Sequence, residues 1–454
     1  MKTLTLFAGA GGADFGLDDA GVEAVLAVEW DEDAAEACRQ NGFPCVTGDV
    51  RDLALYADTG RVDLLWASFP CQDFSTAGSR AGAQGERNGW PWTVEVIDHL
   101  RTRGDGPTWL IAENVRGLTM HVGDCPTREG GEQDDPSSCP RCYLDRVIVP
   151  ELEARFAWVE WRIINSADHG VPQSRRRIYI AAGPRPIEWP ERTHSGEALT
   201  KAKWDTGEYW QHVQVGRVGD PSSREQRWLD ELRQPGLFRA ERPAFSLYPW
   251  QTVRQALGLT APGVMTGSRN SEVNPAQERP TPVDEPCYPV GTKGNQYLEA
   301  RVVGGGHNPN HSADAVRNLR DITDEPSTTI AAQLGGGAGN AGPFVNVKWR
   351  KGEHPGLMDC PSPAVSATEV KGTDGKESTG WTAVGGPARA SDALWLATGR
   401  RRLEVEECVA LMGWPDDAVT HGTKSARYRQ AGNGCTPVVV ERLARSVMNA
   451  EEER

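Results

Sequence analysis

The chain has 454 residues, 38% of them hydrophobic and 25% charged, with a formal net charge of −14. This length allows two or three domains, and no apolar stretch approaches membrane-spanning length, so no membrane association is expected. No signal peptide precedes the first strand; a cytoplasmic chain is expected, with its ten cysteines as reduced thiols.

Residues 2–7 read as a strand, and Ala8-Gly9-Ala10-Gly11-Gly12 follows it. Glycines there let a ligand approach the backbone at a helix amino end, a pattern that many nucleotide-binding chains share. The next strand, 24–28, ends in Glu29-Trp30. An acid at that place suits ribose hydroxyls, and an aromatic beside it can lie on an adenine. Gly48-Asp49-Val50 closes a third short segment, where the carboxylate can accept from an adenine amino group.

Residues 62–69 form an apolar run that reads as a buried parallel strand. It runs into Pro70-Cys71-Gln72. A second run, 109–112, ends in Glu113-Asn114-Val115. Open α/β sheets place their chemistry at the carboxyl ends of strands. A thiol and a carboxyl at two such ends suit one difficult reaction. A thiolate adding at C6 of a pyrimidine makes C5 nucleophilic toward an electrophilic methyl group, while an acid at N3 stabilises the developing charge. Cys71 as a buried structural cysteine and Glu113 as a surface acid are the plainer readings.

A polar insert follows. His121, Cys125, Cys139 and Cys142 can complete a tetrahedral zinc site, although the usual second Cys-x2-Cys pair is missing. Incidental thiols in a loop are the alternative. Further on, Arg175 and Arg177 lie two apart and share one face if the strand through 178–180 already includes them.

The composition changes after residue 184. Residues 185–400 are rich in Gly, Pro, Trp and short β-like runs, and carry 24 basic and 25 acidic side chains against 25 and 38 elsewhere. The acidity is therefore concentrated outside this region, and net charge does not exclude a basic groove. Asp284-Glu285-Pro286, Asp324-Glu325-Pro326 and Asp359-Cys360-Pro361 form a weak repeat, read equally well as DNA-pressing loops or plain turns. The tail, 401–454, returns to helical character.

These blocks, in this order, resemble the C5-cytosine-specific DNA methyltransferases, which use S-adenosylmethionine. The matching residues are 6–12, Glu29-Trp30, Gly48-Asp49, 69–75, 113–115, 170–177, 402–416 and Gly432-Asn433 with Pro437. They span nearly the whole chain, apart from a long gap after Arg177. The resemblance implies an α/β fold: a Rossmann-like, mostly parallel sheet formed by 1–184 plus 401–454, and a second, β-rich irregular target-recognition domain at 185–400. It implies that Cys71 is the nucleophile, that Glu113 acts at N3, and that Arg175 and Arg177 hold the base and the carboxyl. Phe7, Ala8, Gly9, Gly11, Gly12, Glu29, Trp30, Asp49, Val50, Pro70 and Asn433 are expected to line the S-adenosylmethionine site. Double-stranded DNA is the expected partner, with a cognate restriction nuclease beside it and the chain acting as a monomer. The target base must leave the stack to be reached. A tRNA cytosine-5 methyltransferase, a non-enzymatic relative and a nicotinamide dehydrogenase are the competing readings; the last leaves Pro70-Cys71-Gln72 unexplained.

Overall fold

The computed structural model describes residues 1–70, 88–121, 125, 127, 139–217, 220–233, 243–259, 286 and 403–454, with the backbone of short strands between 263 and 402. Cys71, Gln72 and the glycine-rich loops at 291–295 and 335–340 lie outside the described residues.

Seven strands build the main sheet: β1 (Lys2–Leu6), β2 (Glu23–Glu29), β3 (Cys45–Thr47), β4 (Leu64–Ala67), β5 (Trp109–Val115), β6 (Trp158–Asn165) and β7 (Arg176–Gly183). Their order is β3-β2-β1-β4-β5-β7-β6. The pairings among β1 to β5 are parallel, and β7 runs antiparallel to both of its neighbours. The fold is the expected Rossmann-like α/β arrangement.

The apolar strand runs are explained by burial on two faces. Leu65 and Ala67 of β4, with Leu110 and Ala112 of β5, pack against Val96, Ile97 and Leu100 of helix α1 (Gly12–Asp19)'s counterpart on the opposite face, the helix Trp90–Thr102. Leu64, Trp66, Trp109 and Ile111 point the other way. They meet Leu17 of α1 and Val440, Leu443 and Val447 of the closing helix Pro437–Glu452. That helix crosses α1 at Gly16, where a Cβ would stand 2.2 Å from the Pro437 carbonyl oxygen. Only glycine permits this approach, and it brings the carboxyl-terminal tail back beside the first strand.

The chain leaves β1 toward β2 and β3 on one side, while β4 adds on the other. A crevice therefore opens at the carboxyl ends of β1 and β4, where such sheets bind ligands.

Two features depart from the sequence reading. Strand β5 continues through Val115, so Glu113 and Asn114 lie within it. The cause is β7, which pairs Glu113 with Tyr179, Asn114 with Ile178 and Val115 with Arg177. The early part of 185–400 is helical: Gly196–Thr200, Glu208–His212, Ser223–Arg233 and Val253–Leu257. Trp204, Tyr209, Trp210 and Leu229 turn inward to a small core of their own, beside a buried Lys203–Glu225 ion pair at 3.0 Å. The β structure starts at Gly263–Thr266 and forms an antiparallel sheet with Thr281–Pro282, Tyr297–Ala300 and Arg400–Arg402.

Candidate active site

The loop after β1 is held by its own backbone. Phe7 adopts φ 58°, Gly9 φ 59° and Gly11 φ 90°, values that cost a non-glycine residue about 1–2 kcal/mol. The glycines differ in what they face. A Cβ on Gly11 would meet the Phe43 ring at 2.8 Å, and one on Gly12 would meet Trp414 at 2.8 Å and the Cys435 nitrogen at 2.9 Å. Gly9 has nothing within 4 Å among the described residues. Gly11 and Gly12 thus serve packing, and Gly9 leaves space for a ligand.

Glu29, at the end of β2, accepts from Gly9 N at 2.8 Å and Asp31 N at 2.9 Å. It is buried, and burial pushes its pKa up against these hydrogen bonds. Beside it Trp30 is 77% exposed, so its ring is free to receive a planar ligand. Asp49 is ion-paired with Arg51 at 2.5 Å, and that hydrogen bond keeps its carboxyl below the usual range. The Arg51 guanidinium lies 4.9 Å over the Trp92 ring. The Val50 side chain faces the core, while its carbonyl accepts from Tyr56 Oη at 2.8 Å. Ala8 is buried, its N–H bonded to the Val28 carbonyl at 3.1 Å. Phe7 and Pro70 close on Gly89, where a Cβ would stand 2.9 Å and 2.6 Å from them.

At the other side of the crevice, Glu113 Oε1 lies 3.0 Å from Arg177 Nε, with both side chains largely buried. Arg175 departs from the shared-face expectation. It precedes β7, is buried, and donates to the carbonyls of Gly432 at 3.1 Å and Gly434 at 2.8 Å. Burial works against its charge, and Glu113 works for it. The turn it grips carries Asn433, the exposed last residue of helix Lys424–Asn433. Trp414 Nε1 holds the same turn by donating to the Cys435 carbonyl at 2.8 Å.

Some residues of the site were not singled out in the sequence. Asn114 Nδ2 donates to the Phe69 carbonyl at 3.1 Å, and its Oδ1 accepts from Val115 N at 2.7 Å. Its place beside Glu113 was the available signal. Cys435 Sγ lies 3.2 Å from Ser68 Oγ. Burial, then the nearby Glu113, pushes this thiol up to about 12. Nothing in the local sequence marks it. His121, Cys125, Cys139 and Cys142 come together, their ligand atoms all within 4.8 Å of one another.

The profile of the C-5 cytosine-specific DNA methylases matches residues 1–132 and 312–449. The type II methyltransferase M.NaeI of Lentzea aerocolonigenes is 34% identical over 226 residues, 46% of this chain and 49% of that protein. M.AquIA, a type II methyltransferase of Picosynechococcus sp., is 30% identical over 206 residues, 42% of this chain and 77% of its own length. The match to M.NaeI thus spans about half of that relative's length. Among solved structures, the S. pombe Dnmt2 methyltransferase aligns over 99% of both chains with 13% identity and a TM-score of 0.44.

Proposed function

The chain belongs to the C-5 cytosine-specific DNA methylase family, and on that premise we propose that it methylates C5 of a cytosine flipped out of duplex DNA. The observation that carries this reading is the Glu113–Arg177 pair at 3.0 Å, on the strand whose Asn114 holds the Phe69 carbonyl just before Pro70-Cys71.

S-adenosylmethionine, cradled at Gly9, Glu29 and Trp30, would supply the methyl group from its sulfonium. The open side of Gly9 and the exposed Trp30 ring fit such a ligand, with Asp49 and Asn433 at its margins. The Cys71 thiolate forms a bond to C6, and the pair of electrons displaced from the C5–C6 double bond makes C5 nucleophilic. Glu113 gives a proton to N3 as that charge develops. Arg177 keeps the Glu113 carboxyl in place through their 3.0 Å contact. After C5 is methylated, its proton leaves to a base, the C5–C6 double bond reforms, Cys71 departs as thiolate, and the N3 proton returns to Glu113. Arg175 orders the turn that carries Asn433 by donating to the Gly432 and Gly434 carbonyls.

Residues 1–184 plus 401–454 are read as the catalytic domain, and the closing helix packed on α1 supports that grouping. Residues 185–400 are read as the region that selects the DNA sequence, with a boundary at 400 that falls within the strand Arg400–Arg402. The protein is taken to act as a cytoplasmic monomer beside a cognate nuclease. No helix among the described residues is long and apolar enough to cross a membrane. The Cys/His cluster has the donor set of a structural zinc centre.

The test is transfer of labelled methyl groups to duplex DNA and to tRNA in parallel. Label in the DNA, recovered as 5-methylcytosine, is expected; label confined to tRNA would overturn the reading.

A further inference from the structure

Cys139 caps, and Cys142 lies within, a single turn of helix, Pro140–Tyr143. Their spacing of three residues brings both sulfurs to one side. Cys125 and His121 come to the same side from the stretch after β5. The three cysteines are 8%, 2% and 3% exposed for Cys125, Cys139 and Cys142, and they form a small cluster separate from the other cores. None of the three is in a disulfide.

Two of the pair distances match those of a coordination shell, and all four ligand atoms lie within 4.8 Å of one another. Zinc bonds of about 2.3 Å to sulfur and 2.0–2.1 Å to nitrogen place tetrahedral ligands about 3.8 Å apart for two sulfurs and about 3.5 Å for sulfur and nitrogen. Cys125 Sγ and Cys142 Sγ are 3.5 Å apart. Cys139 Sγ and His121 Nδ1 are also 3.5 Å apart. A disulfide needs sulfurs at about 2.05 Å. Thr127 Oγ1 stands 3.1 Å from both Cys125 Sγ and Cys142 Sγ, where its hydroxyl can donate to one thiolate and so offset the excess negative charge of three thiolates around a divalent ion.

The cluster is also tied to another part of the molecule. Tyr143, next to Cys142, accepts through Oη from Asn88 Nδ2 at 2.7 Å. Asn88 Oδ1 in turn accepts from Trp90 N at 3.2 Å, at the start of the helix Trp90–Thr102. Asn88 and Tyr143 are both buried. Asn88 is the residue that follows 71–87, the segment carrying Cys71.

We propose that His121 Nδ1, Cys125, Cys139 and Cys142 bind one zinc ion, and that this centre fixes Tyr143 so that it anchors Asn88. Four protein ligands leave no open position, so the ion holds structure and activates no water. Binding requires all three thiols to be ionised and the imidazole neutral, and it releases the corresponding protons.

The experiment uses the full chain grown with zinc. Elemental analysis is expected to give about one zinc per chain. Replacement by cobalt(II) should give the intense visible bands of a tetrahedral centre and a near-ultraviolet thiolate charge-transfer band. The cobalt measurement is made on the unaltered sequence, so it does not depend on any variant folding. Cys139→Ser with Cys142→Ser should abolish both signals. Hydrogen exchange at the Asn88–Trp90 amides should speed up when a chelator removes the ion. Tyr143→Phe should speed up the same amides while keeping the zinc. Metal-free protein that gives no tetrahedral cobalt spectrum, or a Cys125–Cys142 disulfide, would overturn the site. Exchange at Asn88–Trp90 that ignores both zinc removal and Tyr143→Phe would overturn the anchor. Zinc content is measured without reference to methyl transfer, so failure here and failure of the methyltransferase reading are distinguishable.

Discussion

Asn114 reaches across from β5 to the segment that follows β4 and donates to the Phe69 carbonyl at 3.1 Å. This bond joins the strand bearing the candidate acid, Glu113, to the residue two before the candidate nucleophile, Cys71. Both groups are buried, so the bond is shielded from competing water, and leaving either partner unsatisfied is costly.

Asn114→Ala is expected to lose about 1–3 kcal/mol of stability by that argument. Methyl transfer should fall through kcat, with the Kd for S-adenosylmethionine little changed. Urea titration and single-turnover kinetics read the two effects. Unchanged kcat in a destabilised variant would leave Asn114 a purely structural residue.

Cys71→Ser should abolish turnover while sparing S-adenosylmethionine binding, because a serine hydroxyl is far less ionised near neutral pH than a thiol. Duplex DNA carrying 5-fluorocytosine should trap an adduct on Cys71, since fluorine cannot leave as a proton does. Cys435, whose Sγ lies 3.2 Å from Ser68 Oγ, is the competing thiol. Its buried thiol, pushed up to about 12, stays neutral at pH 7 and should resist iodoacetamide in the folded chain. A peptide map that finds the adduct on Cys435 would reassign the nucleophile.

The two arginines should separate experimentally. Glu113→Gln should keep DNA binding and lose about 10²- to 10⁴-fold in rate, the usual size of a general-acid contribution. Arg177→Ala should also act mainly on rate, because it releases the Glu113 carboxyl. Arg175→Ala should act first on stability, because it strips the donors from the Gly432 and Gly434 carbonyls. Comparable stability losses at both arginines would contradict this division.

Asp14 gives a pH signature. It is fully buried beneath the glycine loop, accepts from Thr5 Oγ1 at 2.7 Å, and its Oδ2 has no partner among the described residues. Burial raises its pKa from 3.8 to about 6. An acid with a raised folded-state pKa binds its proton more tightly when folded. Its contribution to stability is therefore full below about pH 4 and lost as the pH rises through about 6. Relative to Asp14→Asn, the wild-type chain should lose up to about 3 kcal/mol between pH 4 and pH 7. Urea midpoints of both proteins across that range measure the difference, and parallel curves would show that Asp14 does not titrate there.

Much of the sheet was legible in the sequence, for a physical reason. Strands buried on both faces are apolar along their length, and residues 64–67 and 109–112 are. Loops at the ends of such strands carry chemistry, so Glu29 and Glu113 stood out. Less legible were contacts whose partners lie far apart in the chain. Arg175 and Arg177 look equivalent as a motif, yet one grips a turn more than 250 residues away and the other pairs with Glu113. The glycines after β1 look alike in sequence, and only packing by Phe43, Trp414 and Cys435 separates Gly11 and Gly12 from the open Gly9. The helices within 196–257 were missed because short helices around a few tryptophans leave little periodicity to read.

The sequence alone determined the fold class, the order of the motifs and the chemistry their residue types allow, because these follow from local composition and spacing. The tertiary structure decided which carbonyl each arginine meets, which thiol is buried into inertness, and whether His121 and three separated cysteines share one centre. Those outcomes depend on burial and on distances between segments, and neither quantity is encoded at any single position along the chain.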